Sequence, residues 1–132
     1  MPSYPLAHAA ELLGVSPDTL RRWVDAGRVA ASKDRRGRRV IDGEDLARFA
    51  QSLSDTAKPA GMGPTSARNR FMGLVTAVVK DSVMAKVDLV CGAHRVVSLM
   101  SREAADDLDL APGVLAVASV KATQVVVELP RP

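Results

Sequence analysis

Two short stretches of this chain concentrate groups that can hold an anion. KDRRGRR, residues 33–39, sets Lys33, Arg35, Arg36, Arg38 and Arg39 against one acid, Asp34. Such a patch either contacts phosphates or forms a solvated loop, and charge alone leaves both open. TSARNRF, residues 65–71, carries the hydroxyls of Thr65 and Ser66 and the guanidiniums of Arg68 and Arg70. It serves either as a basic arm for a nucleic acid or as a clasp for a smaller anion. A tetrahedral dianion wants many N–H and O–H donors and a compensating positive charge, with few acceptors nearby. Lys121 ends the apolar run VLAVASVK, and Ser101 opens SREAADDLDL, where its hydroxyl and first-turn N–H groups can face an anion.

Catalytic chemistry finds no comparable support. His8 and His94 have no visible partners, and neither a Walker loop, a G-x-G-x-x-G nor an arguable Ser-His-Asp set is present. DSV at 81–83 and ADDLDL hold acids whose spacing gives no reason to pair them as acid and base. The lone Cys91 leaves neither an intramolecular disulfide framework nor a cysteine cluster for zinc. The expectation is a binding protein, not an enzyme, with no metal centre and no redox cofactor.

The elements that must position these groups fall into two halves. With 132 residues, 47% hydrophobic and 25% charged, the chain has room for two small globular domains. Aromatics make up only 3%, so the cores must be built from Val, Leu, Ala and Met. Small aliphatic cores are marginal alone, and a homo-oligomer is expected. No apolar run reaches the roughly 18 residues needed to cross a membrane, and the N-terminus lacks a secretory signal, so the expectation is a cytoplasmic protein without a membrane partner.

In the first half, PLAHAAELLG spaces Leu6, Ala9, Ala10 and Leu13 as a helix with Gly14 at its C-terminal cap. Ser16-Pro17 starts a second helix, DTLRRWVDAG, with Leu20, Trp23 and Val24 inward and Gly27 at its end. Two helices joined by so short a turn make a helix-turn-helix. RVAAS and RRVI flank the charged tip as two strands of a wing, and Asp42 caps a third helix bearing Leu46, Phe49, Ala50 and Leu53 on one face. If Leu20, Trp23 and Val24 face inward, Arg22 is central on the exposed side with Thr19 and Arg21 flanking it. Arg22 is placed either to donate two hydrogen bonds to guanine or to pair with Asp18 four residues earlier.

This half, residues 4–52, resembles the MerR/excisionase type of winged helix-turn-helix, through AAxLLGVSPxTLRRW, the glycine after the second helix, the basic wing and the D-x-x-D-L third helix. The resemblance implies binding to double-stranded DNA, with the second helix in the major groove and the wing on flanking phosphate or minor groove. The implied contacts are Thr19, Arg21 and Arg22 from the helix, and Lys33, Arg35, Arg36, Arg38 and Arg39 from the wing.

SDTAKPAGMGPT, residues 54–65, has linker composition. Beyond it, FMGLVTAVVK reads as a strand buried on both sides, and VMAKVDLVC alternates with Val83, Ala85, Val87, Leu89 and Cys91 on one side. Gly92-Ala93 turns into HRVVSLM, SREAADDLDL forms a short helix, Pro112-Gly113 turns the chain, and VLAVASVK and TQVVVEL supply the last strands. About five short strands with one helical interruption suggest a small β-barrel.

Residues 66–129 resemble the molbindin (Mop or TOBE-type) domain, through SARNRFMGLV, VxxDSVMAKV, SREAADDLDLAPG and SVKATQVVV. SARN before a strand with KAT about fifty residues later is more distinctive than either piece alone. The resemblance implies an OB-like barrel that binds molybdate or tungstate at a subunit interface. Its implied ligands are Ser66, Ala67, Arg68, Ser101, Ala104, Lys121, Ala122 and Thr123. Relatives tend to have Thr-x-x-Ser in the central motif, whereas here Ser101 is followed by Ala104, which retains only a backbone N–H. Arg70 stays unassigned.

The resulting expectation is a two-domain α+β chain: a winged helix-turn-helix over 1–53, a linker over 54–65 and an oxyanion-binding barrel over 66–132. Its expected function is a molybdate- or tungstate-responsive transcriptional regulator. Two rivals share these features: a molybdate storage or homeostasis protein, and an excisionase-like architectural DNA protein whose barrel only oligomerises.

Overall fold

Gly14 and Ser16 set the geometry of the first unit. Helix α1, Leu6–Leu13, stops where Gly14 takes φ 72°, a left-handed conformation that only glycine adopts without strain, and its N–H bonds back to Ala10 and Glu11. Ser16 then caps α2, Pro17–Asp25, accepting from the Thr19 N–H at 3.1 Å, with Pro17 in the first turn. The structure, a computed structural model, describes residues 2–56 and 62–131, and the chain divides into two units, Met1–Ala60 and Gly61–Pro132.

After α2 the chain forms β2 (Ser32–Lys33) and β3 (Arg39–Asp42), antiparallel, around the tip that begins at Asp34. The first wing strand is therefore two residues long and excludes Arg28–Ala31, which run to it as connecting chain. A third strand, β1 (Ser3–Pro5), pairs antiparallel with β3 through Ser3↔Asp42, Tyr4↔Ile41 and Pro5↔Val40. Helix α3, Gly43–Thr56, starts where the Asp42 carboxylate accepts from the Glu44 N–H at 3.2 Å. It continues through residues 54–56, so the expected linker begins later than composition suggested; residues 57–61 of it lie outside the described residues. Ala9, Ala10, Leu20, Val29, Ile41, Leu46 and Phe49 form the core, with Trp23, Val24 and Leu53 packed on it. Trp23 meets the Phe49 ring edge-to-face at 5.4 Å and belongs to that core.

The second unit is one antiparallel sheet in the order β6-β5-β4-β7, from β4 (Asn69–Lys80), β5 (Met84–Cys91), β6 (His94–Ser101) and β7 (Leu115–Val120). Alternation in β5 is as the sequence implied, with Ala85, Val87, Leu89 and Cys91 buried, although Val83 lies outside the strand and is 66% exposed. For β4 the expectation of burial on both faces fails. Val75 is buried, but Phe71, Leu74 and Val79 are exposed, because the apolar cluster of this unit among the described residues covers the face that carries Val75. Helix α4, Arg102–Asp107, interrupts the strands after β6.

Five strands were expected in this unit and four form among its described residues. TQVVVEL is not a strand: Ala122–Gln124 make a single 3-10 turn, and residues 125–131 follow without secondary structure. Val126, Val127 and Leu129 are 88%, 87% and 88% exposed and pair with neither edge strand, β6 or β7, of this sheet. The sheet consequently curls into a half-barrel. Its concave side is an apolar groove of about 350 Å³ reaching from Val96 and Met100 of β6 to Ala116 and Ala118 of β7.

Candidate functional site

In the first unit, α2 exposes Arg21 and Arg22 and half-buries Thr19. The ion pair considered for Arg22 goes to its neighbour instead: Asp18 accepts from Arg21 at 2.6 Å. Arg22 reaches only the Thr19 hydroxyl, at 3.4 Å, and has no carboxylate partner among the described residues. A guanidinium held by one weak bond keeps its donors available for a base edge.

Asp34 organises the wing. One carboxylate oxygen accepts from the backbone N–H groups of Arg36 and Arg38, each at 2.9 Å, and the other from the Arg38 side chain at 2.9 Å. The Arg38 backbone N–H, then its guanidinium and the Arg36 N–H, hold the Asp34 carboxyl below the usual carboxylate range. Arg39, at the start of β3, pairs at 3.1 Å with Asp25, the last residue of α2. The basic stretch thus sorts into two sets. Arg38 and Arg39 are tied to acids that shape the wing, whereas Lys33, Arg35 and Arg36 are exposed with no carboxylate partner among the described residues. One further cation was missed in the sequence: Arg28 stacks its guanidinium 5.1 Å from the Trp23 ring centre and 5.6 Å from that of Phe49.

In the second unit, SARN and KAT come together. The β4–β7 ladder ends at Asn69↔Val120, so Ser66–Arg68 enter β4 where Lys121–Thr123 leave β7. The Asn69 side-chain amide donates to the Val120 carbonyl at 3.1 Å and seals that end. Lys121 precedes the 3-10 turn, in which Ala122 and Thr123 present first-turn N–H groups that find no partner within the turn. Arg68, Arg70 and Lys121 have no carboxylate partner among the described residues. Asn69 was not among the expected site residues, although it stands inside the SARN motif.

Ser101 and Ala104 do not join them. Ser101 pairs with Met84, beside the Lys80↔Ala85 end of the β4–β5 hairpin, whereas Asn69 is at the other end of β4. The ends are eleven residues apart, roughly 36 Å if the strand were straight. The Ser101 hydroxyl and the Ala104 N–H are also engaged with each other at 3.1 Å, as the cap of α4. The Ala104 N–H is thereby used within the cap, whereas the Ser101 hydroxyl only accepts there and keeps its own O–H to donate.

A carboxylate network fixes the Ser101 end. Asp81 accepts from the N–H groups of Met84 and Val83, both at 2.7 Å, and these hold its carboxyl below the usual range. Asp106 is lowered chiefly by the Lys80 ammonium at 2.5 Å, with Arg102 at 3.6 Å adding to it. Carboxyls depressed in the folded state favour folding above their ordinary pKa of 3.8, and that support is lost as pH falls through the folded values. Asp81→Asn with Asp106→Asn should flatten the acid limb of thermal stability below about pH 4, with little change in its slope from pH 6 to 8. A limb as steep as the wild type's would contradict this.

No helix among the described residues is long and apolar enough to cross a membrane, and no cluster of three or more His, Cys, Asp or Glu there could hold a metal ion. Residues 4–54 match the family model of the helix-turn-helix domain, and residues 65–127 match that of the TOBE domain. No curated protein matches the chain. Two solved structures that align with it are a molybdate binding protein from Sporomusa ovata and MopII from Clostridium pasteurianum. The first is 34% identical over 51% of this chain and all of its own, with a TM-score of 0.49. The second is 31% identical over 50% of this chain and all of its own, with a TM-score of 0.48. By its family matches, this chain joins a helix-turn-helix domain to a TOBE domain.

Proposed function

We propose that the protein is a cytoplasmic transcriptional regulator that binds DNA through α2 and the wing and responds to molybdate or tungstate bound by the TOBE domain. The role is one of binding, with no reaction catalysed. The observation that carries it is the convergence of SARN and KAT at one end of the β4–β7 ladder, in a chain that also presents on a helix-turn-helix an Arg22 with no carboxylate partner among the described residues. Ser66 and Thr123 supply hydroxyls, Arg68 and Lys121 the compensating charge, and Ala67 and Ala122 backbone donors. The choice of molybdate follows from the sequence resemblance of this segment to molbindins.

Assembly completes the site. The tail Val125–Leu129 is exposed and extended in pattern, with Val125, Val127 and Leu129 alternating against Val126 and Glu128. The groove between β6 and β7 is apolar and open along two unpaired strand edges. A second copy's tail fits this groove as the missing strand, and the Ser101 end of one copy then approaches the SARN end of another. Oxyanion binding between copies would alter the placement of two winged helices relative to half-sites about one DNA turn apart. Linkage makes the effect reciprocal, so DNA changes oxyanion affinity by the same factor.

Two measurements test this. Gel shifts with duplexes from around its own gene should show a specific complex at moderate salt, weakened about tenfold or more by Arg22→Ala and altered by molybdate. Calorimetry should show molybdate and tungstate binding, with sulfate weaker because it is smaller, and a loss of about tenfold or more in Lys121→Ala. Oxyanion binding without a specific shift would leave a storage protein; a shift without oxyanion binding would leave an architectural DNA protein.

A further inference from the structure

We propose that Asn69 is a positioning residue for the oxyanion site: its side-chain amide holds the Lys121–Thr123 turn beside Ser66–Arg68. The inference rests on the oxyanion reading above and deepens it. Among the described residues β7 is an edge strand with β4 as its one partner, and their ladder ends at Asn69↔Val120. Strand ends held from one side fray readily unless a side chain ties them. Here the half-buried Asn69 donates its amide N–H to the Val120 carbonyl at 3.1 Å, a bond spanning 51 residues of sequence. The next residue, Lys121, turns the chain into the 3-10 turn of Ala122–Gln124, whose Gln124 N–H bonds back to the Lys121 carbonyl at 2.8 Å.

Everything from Lys121 to Thr123 therefore hangs from the point that Asn69 fixes. The two donor segments belong to different strands, and without the amide no hydrogen bond among the described residues links them beyond the last ladder pair. The residue type matters as well as the position. An amide presents a donor to the carbonyl and carries no charge that would repel a dianion nearby. A carboxylate of the same size would oppose acceptor to acceptor and place a like charge beside the ligand.

The test uses Asn69→Asp, with Asn69→Gln as the conservative variant and Val78→Ala as a stability control. Val78 packs at the core edge near the far end of β4, away from Asn69. Calorimetry with molybdate should give a dissociation constant raised about tenfold in Asn69→Asp, and largely restored in Asn69→Gln. The weakening should exceed that of Val78→Ala by about fivefold when the ligand-free melting temperatures are equally lowered. Should Asn69→Asp fail to fold, Asn69→Ser, whose hydroxyl is too short to reach Val120, is read against the same control. An Asn69 variant that binds no worse than Val78→Ala overturns the positioning role while leaving the oxyanion site standing. Wild-type protein giving no heat with molybdate removes the oxyanion reading itself, and this inference with it.

Discussion

Ending the chain after Gln124 should leave a monomer that no longer responds to molybdate. The deleted segment contains Val125, Val126, Val127 and Leu129, of which Val126, Val127 and Leu129 are nearly fully exposed in the single chain. Burial of a Val or Leu side chain contributes about 1.5 kcal/mol or more. Two exchanged tails, with the backbone hydrogen bonds they add to both strand edges, offset an association cost of at least about 4 kcal/mol. Removing them takes away that driving force and reopens the groove of about 350 Å³. Because Ser101 and the SARN–KAT pair occupy opposite ends of β4, the monomer also loses any means of bringing both to one anion. Sedimentation equilibrium and molybdate-dependent melting check the two halves of this prediction. A truncated chain that still self-associates and still gains thermal stability from molybdate would refute the tail exchange.

Gly73→Ala should destabilise the second unit by about 3 kcal/mol, despite adding one methyl group. A Cβ at this position would lie 2.4 Å from the Cys91 sulfur and 2.6 Å from the Val90 carbonyl oxygen. The Cys91 side chain could turn, but Val90 is backbone within β5 and moves only if the β4–β5 ladder opens. Cys91 is itself buried and its thiol points to the Phe71 carbonyl at 3.9 Å, so the space that glycine leaves is already used. Denaturant unfolding of the whole chain should show the transition of the second unit moved to lower concentration, while that of the first unit, reported by Trp23, stays in place. Equal stability of Gly73→Ala and wild type would mean that β4 and β5 separate more easily than their register implies.

Local signals were legible in the sequence. Gly14, Ser16-Pro17 and Asp42 each terminate or start a helix through bonds to their own neighbours, so their meaning survives without the rest of the chain. Strand β5 declared its buried face by alternation alone. Pairing was less legible. β1 forms because Ser3–Pro5 meet β3 nearly forty residues later, and nothing in SYP itself announces that partner. TQVVVEL shows the converse: its composition favours a strand, yet a strand needs an edge, and this chain supplies none that it reaches. The same limit applied to the candidate site. SARN and KAT were readable as a pair, but only the β4–β7 register puts them side by side, and the β5–β6 register carries Ser101 away. Arg38 and Arg39 were readable as charge; that Asp34 and Asp25 occupy them depends on a turn and a helix end that composition does not describe.

On the function proposed above, the separation of Ser101 from the SARN–KAT end also bears on how the signal would be measured. A site divided between copies exists only in the assembled fraction, and that fraction rises with protein concentration. The dose of oxyanion needed for a response would then depend on how much of the protein the cell holds. Scarce copies would be insensitive at any modest anion level, while abundant copies would respond sharply. Control over its own synthesis would then set the threshold of detection, with no change to the residues that touch the ligand.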